Sequence, residues 1–90
     1  MKKLKYTSKR GKTIVFDNYE EDYDVSGRLD EETPYWVDLC PHCHNKYKGI
    51  LGNRIFDGGS GVASCSVEGC LNTNACYYVD FTEEDVEVIA

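Results

Sequence analysis

Five cysteines are the residues best suited to chemistry in this 90-residue chain, and four of them form two close pairs. Cys40 and Cys43 make a Cys-x-x-Cys knuckle, and Cys65 and Cys70 make a second pair with four residues between them. The two pairs are 21 residues apart. Zinc takes four ligands in a tetrahedron, and thiolate is a common structural ligand. Two knuckles from separate segments supply that shell, because each short spacing lets the backbone fold around the ion with its amides facing sulfur. Gly69, just before the last cysteine, suits a tight bend that needs positive φ. The expected site is one structural zinc ion on Cys40, Cys43, Cys65 and Cys70.

Other assignments of the same residues remain open. Cys76 reads as a free structural cysteine, although it could replace Cys70 in a looser pair. His42 and His44 flank Cys43, and either would complete a three-cysteine, one-histidine site. With four thiolates available, both histidines are expected outside it. A redox Cys-x-x-Cys would call for a thioredoxin-like βαβ context, which is absent. Four cysteines also suit an iron–sulfur centre. Met1 and the basic Lys2 and Lys3 are followed by Leu4, Lys5, Tyr6, Thr7 and Ser8, not by the apolar segment of a secretory signal. No run approaches the roughly 20 apolar residues that span a bilayer. A cytoplasmic chain with reduced thiols and no membrane partner is therefore expected.

The elements that must position these cysteines are short. Residues 3–7 alternate polar and apolar, residues 8–11 break like a turn, and residues 12–16 are β-branched and aromatic, which predicts an N-terminal hairpin. Residues 17–33 are acidic and turn-rich, a solvated connection that Tyr19, Tyr23, Val25 and Leu29 could pin to the body. Residues 34–39 read as a strand leading into Cys40. Tyr47, Ile50 and Leu51 have helical spacing, so a short helix is expected from about His44, weakened by Gly49 and ended by Gly52. Residues 52–64 form a glycine-rich turn between extended pieces, and no Lys-Ser/Thr follows the glycines as a phosphate loop requires. Residues 75–81 are the clearest strand, with Ala75, Tyr77, Val79 and Phe81 on its buried face and Cys76, Tyr78 and Asp80 on the other. Thr82 to Asp85 have capping-box spacing, which predicts a short C-terminal helix, while the alternation of Val86, Glu87 and Val88 also fits a strand. The whole reads as one domain over 1–90, comprising a basic hairpin (1–16), an acidic loop (17–33), a zinc-binding core (34–81) and an acidic C-terminal segment (82–90).

Charge is unevenly spread. The formal net charge is −6, yet residues 1–16 carry six basic groups and no acid, and residues 17–38 carry nine acids and one arginine. The acid excess argues against general affinity for nucleic acid. It leaves room for local phosphate contacts by Lys9, Arg10 and Lys12 at the hairpin tip. No Ser/His/Asp set, open metal triad or phosphate loop is visible, and a zinc deaminase would need a His-x-Glu motif ahead of its Cys-x-x-Cys.

The block running from Tyr35 and Trp36 through Cys40 and Cys43 to Cys65, Gly69, Cys70, Asn72, Ala75, Tyr77, Tyr78, Asp80 and Phe81 resembles small uncharacterised zinc-ribbon-like proteins of bacteria and their phages. The resemblance covers residues 34–81 and implies a four-cysteine zinc site, with Cys76 departing from the pattern. The expected fold is a small α+β, zinc-stapled domain. It combines an N-terminal β-hairpin with a zinc-ribbon or treble-clef-like core and one or two short helices. The expected function is a non-catalytic protein-interaction or regulatory module, with another protein as partner and Tyr35, Trp36 and Tyr78 as candidate contacts. The alternatives are a nucleic-acid contact through the basic hairpin, or a phage-type acidic inhibitor of a host nucleic-acid-binding enzyme.

Overall fold

In a chain this short, alternating apolar positions decide which strands form and which face they bury. The computed structural model describes residues 2–90. Strands β1 (Leu4–Thr7) and β2 (Thr13–Phe16) form the expected N-terminal hairpin, with Leu4 opposite Phe16 and Thr7 opposite Thr13. Leu4, Tyr6, Ile14 and Phe16 are buried, the period-two pattern that turns one sheet face to a core. The hairpin turn is closed by Ser8, whose N–H donates to the Lys12 carbonyl at 2.8 Å and whose Oγ accepts from the Lys12 N–H at 3.1 Å.

The second sheet is built around two longer strands. After β3 (Glu20–Glu21), the chain reaches β4 (Tyr35–Leu39) and then helix α1 (Pro41–Leu51). A 3-10 turn (Gly52–Arg54) leads to β5 (Ile55–Asp57), and β6 (Tyr77–Phe81) follows the second cysteine pair. These strands lie in the antiparallel order β3-β4-β6-β5. Residues 17–33 are thus not wholly a loop, because β3 pairs with Tyr35 and Trp36. Tyr19 anchors the segment, buried with its ring edge-on to Tyr35 at 5.5 Å. Of the other expected anchors, Tyr23, Val25 and Leu29 are all exposed. The tip is held by its own carboxylate instead: Asp24 Oδ1 accepts from the N–H groups of Ser26 and Arg28.

One expectation is corrected, and one choice left open by the sequence is decided. The helix begins at Pro41, not near His44. Cys40 is its N-cap, with its Sγ accepting the Cys43 N–H at 3.4 Å, and proline at the first helical position loses no hydrogen bond. The C-terminal segment is strand β7 (Val86–Val88), not helix, and it pairs with β1 to give the order β2-β1-β7. Thr82 and Asp85 do exchange capping-box bonds, at 3.2 and 3.3 Å. However, Arg54 grips the Asp85 carboxylate through two hydrogen bonds of 2.9 and 3.3 Å, and Val86 aligns with Tyr6. Tertiary pairing outweighs the local capping preference.

The result is a small α+β fold with two antiparallel sheets and one short α-helix. Among the described residues, no helix is long and apolar enough to cross a membrane. The sheets meet at Phe81, which is fully buried, 5.2 Å from the Tyr6 ring and 5.7 Å from the Phe16 ring. Large-to-small changes at such a position cost about 3–5 kcal/mol, comparable to all the stability a core of this size supplies. Phe81→Ala should therefore lower the urea midpoint of the metal-loaded chain clearly and leave the metal-free chain unfolded. Urea unfolding followed by circular dichroism checks this.

Candidate metal centre

Two turns at neighbouring strand and helix ends bring the four cysteines together. Cys40 follows β4 directly and caps α1, and Cys43 lies one turn into that helix. Cys65 and Cys70 bracket a turn closed by the Cys70 N–H, which donates to the Val67 carbonyl at 3.0 Å. Gly69 takes φ +79° in that turn, the positive value expected of it.

The turn is bolted to both sheets. Ser66, only 2% exposed, donates its N–H to the Asp38 carbonyl and accepts the Asp38 N–H on Oγ, both at 2.9 Å. Its own carbonyl accepts the Asp17 N–H at 2.7 Å, and Val67 bridges to Phe16 at the end of β2. On the surface, Lys3 Nζ reaches Glu68 at 2.9 Å and Asp17 at 3.3 Å.

The four sulfur atoms lie within 4.8 Å of one another, and Cys40, Cys43 and Cys65 are buried. Cys40 Sγ and Cys70 Sγ are 3.8 Å apart. A tetrahedral ion with metal–sulfur bonds of about 2.3 Å has sulfur–sulfur edges of about 3.8 Å. The donor set therefore matches a single four-coordinate ion.

Electrostatics point the same way. Burial opposes ionisation of Cys40, but hydrogen bonds from the Asn72 amide, the Cys43 N–H and the neighbouring thiols outweigh it and pull the thiol down to about 6. Burial pushes Cys43 up, and Cys65 beside it adds to the rise. Burial also pushes Cys65 up to about 11. Packed this closely, the sulfurs do not all ionise unaided, and a divalent cation is the charge that would let them.

The other predicted candidates lie elsewhere. Cys76 is half-buried outside the four-sulfur group. His42 is exposed, and His44 stacks on Tyr77 with ring centroids 4.1 Å apart. Lys9, Arg10 and Lys12 line an open groove of about 490 Å³ together with Tyr6, Ile50 and Arg54, remote from the cysteines in the chain. Tyr78 is half-buried and stacks on Phe56.

Two supporting residues went unassigned in the sequence. Asn72 donates Nδ2 to Cys40 Sγ at 3.3 Å, and its carbonyl accepts the Cys65 N–H at 2.9 Å, so it touches both knuckles. Its place two residues after the last cysteine is the signal that could have found it. Ser66, inside the second pair, carried no signal beyond its small size.

No family model matches the chain, and no match is found among curated proteins or solved structures.

Residues that hydrogen-bond to metal ligands typically contribute 10–100-fold to affinity. Asn72→Ala should weaken zinc binding by about tenfold, whereas Cys76→Ser should leave it unchanged. Competition titration against a chromophoric chelator measures both.

Proposed function

We propose that the chain is a small non-catalytic interaction module whose fold is fixed by one zinc ion on Cys40, Cys43, Cys65 and Cys70. The observation that carries this is the set of four cysteine sulfurs within 4.8 Å of one another. Four protein ligands leave no position for substrate or water, so such an ion braces the fold and is not an open Lewis acid. A multinuclear iron cluster places bridging sulfides between its irons and holds its thiolates farther apart than one ion does. The spacing therefore favours a single metal. Thiolate is a common structural ligand of zinc, and four of them close its tetrahedral shell, which supports zinc as that metal.

A second reading has one observation in its favour. Lys9, Arg10 and Lys12 are exposed, form no ion pair among the described residues, and share a groove with Tyr6 and Arg54. Such a surface has the chemistry to contact phosphates. Binding there would be steeply salt-dependent. Against it, Arg54 is already neutralised by Asp85 at 2.9 Å.

Native mass spectrometry with elemental analysis tests the metal assignment. One zinc per chain, displaced by a strong chelator, is expected. A metal-free folded chain, or a chain carrying several irons with sulfide, would contradict it.

A further inference from the structure

The outer face of the four-stranded sheet alternates aromatic rings and carboxylates. In the β4–β6 register, Trp36 stands opposite Asp80 and Asp38 opposite Tyr78. Phe56 of β5 extends the row, 44% exposed, with its ring stacked on Tyr78 at 5.3 Å. On the far side, Glu20 of β3 stands opposite Trp36. Trp36 and Tyr78, with Asp22, Asp38 and Asp80 beside them, line a concavity of about 570 Å³ to which no basic residue contributes.

One wall of this concavity is fixed by the backbone. Gly58 and Gly59 donate their N–H groups to the Cys76 carbonyl at 3.3 and 2.9 Å. A Cβ on Gly59 would lie 2.9 Å from the Cys76 carbonyl carbon, so only glycine lets the loop sit this close.

The carboxylates have no counter-charge. Among the described residues, Asp38 and Asp80 form no ion pair. Burial raises the Asp80 carboxyl, and Asp22 and Asp30 add to the effect. Like charges held half out of water favour any cation that reaches them. A hard metal ion takes six or more oxygen ligands, and the ring faces of Trp36 and Tyr78 offer none. A guanidinium suits the site better, because it stacks on ring faces while its N–H fork pairs with carboxylates.

We propose that this sheet face docks an extended basic segment of a partner protein, with an arginine side chain held between Trp36 and Tyr78 and paired to Asp38 and Asp80. The proposal rests on the interaction-module reading and names its partner's chemistry.

Trp36 is the chain's single tryptophan, so its fluorescence reports on this face alone. The test titrates the 90-residue, zinc-loaded chain with a peptide of alternating arginine and serine, and with a control in which glutamate replaces arginine. Native mass spectrometry of the same sample records its metal content. The arginine peptide is expected to shift Trp36 emission, with weaker binding at high salt, and the control peptide to leave it unchanged. Asp38→Asn with Asp80→Asn should weaken binding by about tenfold or more. The double variant should melt no lower than the parent, since it removes unpaired charge. Neutralising Lys9, Arg10 and Lys12 should leave peptide binding intact. No shift, an equal shift with the control, or binding unaffected by the asparagine variant would overturn the proposal. So would emission that changes on dilution and stops doing so when Lys9, Arg10 and Lys12 are neutralised, because the occupant would then be a second copy of this chain. A zinc-loaded chain that fails to bind sinks the docking proposal alone. A chain that holds no metal sinks the zinc assignment, whatever the peptide does.

Discussion

The constraint on which the structure depends is the meeting of two sulfur pairs that lie far apart in the chain. Cys40 and Cys70 are 3.8 Å apart in space. Holding them there closes a long loop, and the entropic cost of closure rises only slowly with loop length. Burying thiols side by side adds a second cost, since burial opposes ionisation of Cys43 and Cys65. A metal ion on these four thiolates would reverse that second cost and hold the loop closed. Its binding free energy, about 10–16 kcal/mol for structural zinc in finger peptides near neutral pH, far exceeds what a core of this size supplies alone.

The constraint passes outward through identifiable bonds. Ser66 ties the second cysteine pair to β4 through Asp38, and Val67 ties it to β2 through Phe16. Lys3, just before the central strand β1, reaches across to Glu68. Phe81 then carries the hairpin rings onto the larger sheet. Fixing Cys65 and Cys70 therefore positions both sheets, and with them the β4–β6 register that sets Trp36 against Asp80 and Asp38 against Tyr78.

Much of this was legible in the chain, because local pattern and tertiary demand agree there. The hairpin over residues 3–16, the strands ending at Leu39 and Phe81, the four clustered cysteines and the positive φ of Gly69 all follow from period-two alternation, knuckle spacing or turn chemistry. The elements misread or left open are those where a distant partner decides. Val86–Val88 became strand because β1 and Arg54 claim it, although Thr82 and Asp85 exchange capping bonds. The helix began early because Cys40 serves as its cap, a role that spacing does not reveal. Glu20 and Glu21 pair with β4 despite an acidic, turn-rich setting. The ring-and-carboxylate face was half visible in Tyr78 and Asp80, but its other half waited on a strand register that no local pattern encodes.

If the metal organises the whole fold, protection of backbone amides should depend on it everywhere, not only near the cysteines. Hydrogen–deuterium exchange on the zinc-loaded chain, before and after removal of the metal by a chelator, measures this residue by residue. The expected result is strong protection in β1, β4 and β6 that is lost from both sheets together once the metal is gone. Protection that persists in the hairpin sheet and in β4 and β6, with losses confined to residues around Cys40 to Cys43 and Cys65 to Cys70, would contradict a fold held together by its four thiolates.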